Sequence, residues 1–361
     1  MAKIRIEGLH KRFGDFVAVR DSNLTVEDGS FFVLLGPSGC GKTTTLRMIA
    51  GLEAPSAGRI LLDGEEVSQL RASQRDIAFV FQLFALYPHM NVRKNLAFPL
   101  RCQGESRAEI SRRVDEIAKL LRIDHLLNKP VSSLAGGDRQ RVALGRAIIR
   151  RPKAFLMDEP LGTLDAEFRE LMCEELRQLH DRIEATTVYV THDQLEAMSM
   201  GDRIAVMDKG EVLQSDPPQI IYNRPATRFV AGFIGSPAMN FLDAEGRLSA
   251  SASAAQINGA SVPIPVLREG TGQDRVVLGV RPEHIAVRDD GVVRGEVYGV
   301  EYTGARQMLT VDTSAGRLKV RTANTVKASI GDRVGLSFDT ERIVLFDAAT
   351  DRALEREWRD S

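Results

Sequence analysis

Gly36-Pro37-Ser38-Gly39-Cys40-Gly41-Lys42-Thr43 fits the pattern G-x-x-x-x-G-K-[ST] at every position. The apolar run Phe31–Leu35 precedes it, and a helical run ending near Gly51 follows. Strand, glycine loop, helix is the context in which this pattern binds phosphate. Glycines let backbone N–H groups close around phosphate oxygens, and the helix N-terminus adds partial positive charge. Lys42 is placed to bridge β- and γ-phosphates, and the Thr43 hydroxyl to bind Mg²⁺. Ser38, Gly39, Cys40, Gly41 and Thr44 complete the expected cradle. The bland alternative is a glycine-rich turn without ligand, which the full pattern in context disfavours. Position 40 of such a loop tolerates many residues, so Cys40 carries no redox reading.

A second apolar run, 154–157, ends in Asp158-Glu159. Asp158 is expected to hold Mg²⁺, directly or through water, and Glu159 to polarise an attacking water. Many strands end in exposed carboxylates, so only the pairing with the phosphate loop gives these acids a chemical role. His192 follows the run 187–190. A lone histidine there is usually structural; as a donor it reaches a γ-phosphate and steadies the water.

The chain has 361 residues, enough for two domains. Hydrophobic residues make up 43% and charged residues 27%, the proportions of a globular protein. A net charge of −1 with no basic block points away from nucleic acid. No apolar run approaches the roughly 18 residues of a membrane span, and the segment Met1-Ala2-Lys3-Ile4-Arg5 lacks a signal-peptide core. Three cysteines argue against a disulfide framework and fit a reducing cytosol. Any work at a membrane therefore requires recruitment by a partner.

Up to about residue 235 short apolar runs (31–35, 78–81, 154–157, 187–190) alternate with helical patterns, as in a mainly parallel sheet covered by helices. Residues 106–127 read as one helix: Ser106 and Glu109 form a capping-box pair, and Ile110, Val114, Ile117 and Leu121 recur at helical spacing. After Gly235-Ser236-Pro237 the texture changes, placing a boundary between domains 1–235 and 236–361. Short alternating segments at 297–302, 308–311, 318–320, 334–338 and 343–345 predict a small β-barrel or sandwich. The Ser/Ala-rich stretch 249–255 reads as a loop, and 351–361 as a frayed tail or short helix.

Together these residues resemble the ABC-transporter ATPase family. The resemblance implies an α/β P-loop nucleotide-binding domain followed by an all-β OB-like regulatory domain. It implies ATP as substrate, with Mg²⁺, and a catalytic set of Lys42, Gln82, Glu159 and His192. Gln82 looks like the family's glutamine that senses Mg²⁺ and the γ-phosphate. Leu134-Ala135-Gly136-Gly137-Asp138 falls where the family signature contacts ATP held by the opposite subunit, and Leu164-Asp165 resembles the D-loop. Phe13 sits where the family stacks an aromatic on adenine; the alternative is a core aromatic. The stretches 85–90, 95–100, 221–225, 229–235 and 279–284 resemble the maltose-type, carbohydrate-uptake importers, although polyamine and metal-ion importers share much of this pattern.

The partners so implied are a second copy in a nucleotide sandwich, two transmembrane permease subunits and, indirectly, an extracytoplasmic solute-binding protein. The location implied is the cytoplasmic face of the inner membrane. A soluble ABC ATPase outside transport, and a regulatory binding module, are the rival readings. The signature departs from the usual Leu-Ser-Gly-Gly-Gln: Ala135 replaces the serine and Asp138 the glutamine. Gly162 and Thr163 stand where the D-loop usually has Ser and Asn. Slower hydrolysis, mutual compensation and an unlike partner subunit all follow from these departures as open expectations, and Asp138 could instead cap the following helix.

Overall fold

The computed structural model describes residues 2–162, 164–246, 248–268, 270 and 275–356. The chain divides into two compact units, one through Pro218 and one from Gln219.

In chain order the first unit contains β1 (Ile4–Phe13), β2 (Phe16–Val26), β3 (Phe31–Leu35), α1 (Lys42–Ala50), β4 (Ala57–Leu62), β5 (Glu65–Glu66) and β6 (Ile77–Val80). There follow α2 (Val92–Cys102), α3 (Arg107–Leu120), α4 (Gly136–Ile148), β7 (Ala154–Asp158), α5 (Ala166–Ile183), β8 (Thr186–Thr191), α6 (Gln194–Met200), β9 (Arg203–Asp208) and β10 (Glu211–Asp216). The main sheet has the order β10-β9-β3-β8-β7-β6. Its strands β9, β3, β8, β7 and β6 are parallel, and β10 pairs antiparallel at the edge. β3, β7 and β8 are buried at every position, which is why none shows the polar–apolar alternation of a half-exposed strand.

A second, antiparallel sheet has the order β2-β1-β4-β5. The sequence reading did not anticipate it. β1 and β2 meet in a hairpin at Phe13 and Phe16, around Gly14 at φ +57°. Irregular pairing between Ile6 and Leu9, where Gly8 takes φ +56°, breaks the alternation that would have announced a strand. One buried cluster joins Ile4, Ile6 and Ile60 of this sheet to Leu46 and Ile49 of α1 and to Phe32, Leu34, Val188 and Val190 of the parallel sheet. Helix α1 is thus clamped between two sheets. Each fully buried aliphatic side chain contributes about 1.5–3 kcal/mol, so the loop that opens α1 rests on a rigid floor.

The run expected as one helix over 106–127 is shorter. Ser106 Oγ accepts from Glu109 N at 3.2 Å, but the Glu109 carboxylate bonds Arg112 and Arg113. The helix stops at Leu120 because Arg122 turns left-handed (φ +56°), and a 3-10 turn at Asp124–Leu126 follows.

The second unit begins with α7 (Pro218–Asn223) and α8 (Arg228–Phe233). Its strands are β11 (Asn240–Glu245), β12 (Ala254–Ile257), β13 (Ala260–Pro263), β14 (Arg275–Val280), β15 (Ile285–Val287), β16 (Val293–Tyr302), β17 (Arg306–Thr313), β18 (Gly316–Ala323), β19 (Arg333–Phe338) and β20 (Val344–Asp347). They form two antiparallel five-stranded sheets, β13-β12-β11-β14-β20 and β15-β19-β16-β17-β18. One core runs through both, including Leu242, Val276, Leu278, Leu309, Val320 and Leu336, and a smaller buried cluster gathers Met239, Val277 and Phe346. The tail corrects the sequence reading in part. Arg352, Ala353 and Arg356 form β-bridges to Thr227, Phe346 and Leu267, so this stretch is extended rather than helical; residues 357–361 lie outside the described residues.

Among the described residues Arg281 is the largest fully buried side chain. Its guanidinium donates twice to the Tyr222 carbonyl, at 3.1 and 2.7 Å, and once to the Ile234 carbonyl at 2.6 Å. It also lies 3.6 Å from the Tyr222 ring centroid, and the Tyr222 hydroxyl donates to Glu283. One cation therefore fastens the segment carrying α7 and α8 to the end of β14. Arg281→Leu leaves two buried carbonyls short of a donor, each costing about 1–3 kcal/mol. Amide hydrogen exchange across residues 222–234 is expected to rise by about a hundredfold in this variant, with Arg281→Lys intermediate. Unchanged exchange would remove this role from Arg281.

Candidate functional site

Parallel register sets the geometry. Leu35 stands opposite Thr191, Asp158 opposite Val190, and Val80 opposite Met157. The residues just past these ends, Gly36, His192, Glu159 and Gln82, therefore emerge along one edge. In open α/β sheets that carboxyl edge is where ligands bind.

The loop after β3 is built for close approach by an anion. Gly39 and Gly41 take φ +80° and +103°, which L side chains rarely adopt. A Cβ on Gly36 would stand 2.2 Å from the Met207 carbonyl oxygen, and one on Gly41 2.4 Å from that of Ala18. Gly41 is the N-cap of α1 and offers no side-chain cap, so the first-turn N–H groups stay available to phosphate oxygens. Ser38 and Gly39 are exposed on the rim, while Thr44 is half-buried on the first turn. Cys40 is 3% exposed, and burial pushes its thiol up, so it packs rather than reacts.

Lys42 is 4% exposed, and its Nζ donates to the Gly36 and Pro37 carbonyls at 2.8 and 2.9 Å. The loop thus holds its own cation above the cradle. Thr43 Oγ1 donates to Asp158 Oδ1 at 2.8 Å, joining the start of α1 to the end of β7. Burial raises the Asp158 carboxyl, and the Thr43 hydrogen bond works against that rise. A hydroxyl and a carboxylate are the hard oxygen donors that suit Mg²⁺, which takes few protein ligands and completes its shell with phosphate and water. Among the described residues no cluster of three or more His, Cys, Asp or Glu offers a rival metal site.

Glu159 takes φ +43°, an uncommon and costly conformation for a non-glycine residue. Its N–H donates to the Val190 carbonyl at 3.0 Å, and its Oε2 lies 3.1 Å from His192 Nδ1. The strained backbone aims this carboxylate at the histidine that ends the neighbouring strand. Gln82 is exposed beyond β6, and its Nε2 lies 3.9 Å from where a Cβ on Gly162 would stand. Thr163 lies outside the described residues.

Phe13 is 47% exposed at the hairpin, so it is no core aromatic. Lys11 Nζ sits 4.8 Å from its ring centroid, pinned by Glu53 Oε1 and the Ala54 carbonyl, each at 2.7 Å.

The signature segment is held elsewhere. Ala135 is the N-cap of α4 and supplies no side-chain cap. A Cβ on Gly137 would stand 2.2 Å from the Phe168 ring, and one on Gly136 3.5 Å from Leu164. Asp138 does not cap the helix, contrary to the alternative raised above. It lies inside the first turn and pairs with Arg141 at 3.4 Å, while Arg141 is bidentate on Glu175 at 3.1 and 3.0 Å. Among the described residues no hydrogen bond or ion pair joins 134–138 to the loop 36–44. The sequence reading missed Arg169, which bonds the Leu164 carbonyl and Asp193. Its only sequence signal was a cation one turn after Asp165.

Comparison with known proteins adds the family context. Residues 19–162 match the family described as ABC transporter, 235–285 the MalK OB fold domain and 278–346 the TOBE domain. The C-terminal unit thus matches two descriptions where the sequence reading had one OB-like domain. The trehalose/maltose import ATP-binding protein MalK of Thermococcus litoralis is 45% identical over 98% of this chain and 100% of its own length. The sn-glycerol-3-phosphate import ATP-binding protein UgpC of Ruegeria pomeroyi is 49% identical over 86% of each chain. Among solved structures, cbiO1 from Clostridium perfringens, part of the ABC transporter complex cbiONQ, superposes with a TM-score of 0.57. It shares 28% identity and covers 60% of this chain and 89% of its own.

Proposed function

The chain belongs to the ABC-transporter family of ATP-hydrolysing subunits, and from that premise we propose that it drives solute uptake through separate membrane subunits, as one half of a nucleotide-sandwich homodimer. The observation that carries this reading is the convergence of Lys42, the Thr43–Asp158 pair and the Glu159–His192 pair on one sheet edge.

ATP lays its phosphates in the loop 36–43, with adenine on the exposed face of Phe13. Lys42 exchanges its two carbonyl partners for β- and γ-phosphate oxygens, a charge-assisted bond replacing neutral ones. Thr43 and Asp158, with Gln82 beside them, would hold Mg²⁺, which supplies charge neutralisation on the phosphates. His192 turns from Glu159 to donate to the γ-phosphate, and Glu159 is freed to accept a proton from the attacking water.

Among the described residues no hydrogen bond joins 134–138 to their own chain's phosphate loop, and the N-terminal turn of α4 at Gly136 would meet ATP on a second copy. Residues 1–235 carry the nucleotide chemistry, and 236–361 the regulatory role. Membrane subunits dock in a groove of about 600 Å³ lined by Leu52, Phe79, Phe81, Tyr87, Phe98 and Arg146, beside Leu83, which is 79% exposed. No described helix is long and apolar enough to cross a membrane, so association runs through those subunits, on the inner face. The solute is of the sugar or glycerol-phosphate class that the relatives' names carry, delivered by an extracytoplasmic binding protein.

Glu159→Gln is expected to keep Mg-ATP binding, lower turnover by about 10²–10⁴-fold and double the solution mass in Mg-ATP by light scattering. Turnover at the parental rate would overturn the reading. Ala135→Ser tests the altered signature. A restored hydroxyl on the γ-phosphate is expected to raise steady-state hydrolysis by about tenfold; no gain would mean that the D-loop changes already compensate.

A further inference from the structure

We propose that Arg169 is a positioning residue for hydrolysis: it ties the loop after Glu159 to the loop bearing His192, so that the two backbones keep one mutual geometry while His192 turns from Glu159 to the phosphate.

The inference rests on the assignment of Glu159 and His192 above. Arg169 lies one turn into α5, whose N-cap Asp165 accepts from Phe168 N at 2.9 Å. Its Nη2 donates to the Leu164 carbonyl at 2.9 Å and its Nη1 to Asp193 Oδ2 at 3.1 Å. Its Nε faces Glu196 Oε1 at 3.6 Å. One planar fork therefore spans both loops, a reach that a lysine's point charge lacks.

Each end of this tie is itself held. Asp193 Oδ1 caps α6 through Leu195 N at 2.8 Å and Glu196 N at 3.3 Å, so the two carboxylate oxygens divide between helix and Arg169. Glu196 is buried, and its Oε2 accepts from the Tyr189 and Thr191 hydroxyls at 2.8 and 2.7 Å. The Thr191 oxygen also accepts from Asp193 N at 2.9 Å. Both neighbours of His192 are thus fixed. On the other side, Gly162 N donates to the Glu159 carbonyl at 3.2 Å and Leu164 N to that of Leu161 at 3.0 Å, so Leu164 is linked through Leu161 and Gly162 to Glu159.

The two loops consequently touch at two points, Glu159–His192 and Leu164–Arg169–Asp193. When His192 turns to the phosphate the first point opens, and the Arg169 tie is what still holds the two loops together. Near-attack geometry tolerates little displacement, so loss of the second point acts on turnover. The groups that grip nucleotide, Lys42 and Thr43, form no part of this ring, and ATP affinity stays.

The test uses the full chain. Arg169→Met, Asp193→Asn, their double variant and Arg169→Lys are assayed for kcat and KM, with Glu159→Gln beside them. Asparagine keeps the Oδ1 cap on α6 and puts an amide donor in place of the oxygen that accepts from Arg169. Arg169→Met and Asp193→Asn are each expected to lower kcat by about ten- to a hundredfold with KM within about threefold of the parent. The double variant is expected to lose no more than the worse single one, and Arg169→Lys to recover part of the loss. A kcat within twofold of the parent in both singles, or losses that multiply in the double, would overturn the proposal. If Arg169→Met fails to fold, Asp193→Asn alone decides it. Glu159→Gln separates the two levels: a fully active Glu159→Gln defeats the site assignment, whereas an inactive one beside parental Arg169 and Asp193 variants defeats only the tie.

Discussion

Parallel pairing of β3, β8, β7 and β6 is the constraint on which everything else in the first unit depends. The register brings the ends of four strands to one edge, and each end delivers one chemical group: the phosphate loop, His192, Asp158 with Glu159, and Gln82. A slip of one residue in any pair would turn its side chains to the opposite face and carry its functional group away from the others. Complete burial of β3, β7 and β8 enforces that register, since every alternative exposes apolar surface. Clamping α1 between two sheets fixes the remaining degree of freedom, the direction from which the helix N-terminus meets phosphate.

On this rigid floor sit features that cost stability. Glu159 adopts a left-handed backbone, burial raises the Asp158 carboxyl, and Lys42 is a buried cation whose partners are two carbonyls and the Cys40 sulfur. Each is tolerable because neighbours over-determine it, and Lys42 gains a stronger partner when a polyanion arrives. The altered signature adds a further tension. Asp138, Arg141 and Glu175 form a cluster with two acids and one cation, so Arg141 is shared and negative charge remains near the N-terminus of α4. That charge favours the helix dipole within the chain and opposes an incoming phosphate.

Much of this was legible in the sequence because the groups concerned are local. The phosphate loop is contiguous, β3 announces itself by an unbroken apolar run, and several strands of the second unit by two-residue periodicity, whereas the division of the compact units at Pro218 left no mark in the pattern. What was illegible is non-local or irregular. The antiparallel sheet hid behind the irregularity at Gly8, and the end of α3 behind a left-handed Arg122 with no glycine to mark it. Arg169 could not be read at all: its partners lie on the preceding loop and 24 residues downstream, and only folding makes them one contact set. Arg281 likewise was visible as part of a family-like stretch, but its work of fastening 222 and 234 to β14 required coordinates.

The most direct test of the central claim is electron paramagnetic resonance of Mn²⁺, standing in for Mg²⁺, with ATP bound to the full chain. Thr43 and Asp158 would hold the ion beside the phosphates, so the parent is expected to show an ordered site with phosphorus couplings. Thr43→Val, which keeps the shape and removes the oxygen, is expected to lose that signal. Identical spectra from parent and variant would contradict the account, because the ion would then owe nothing to the residue that the fold brings against Asp158.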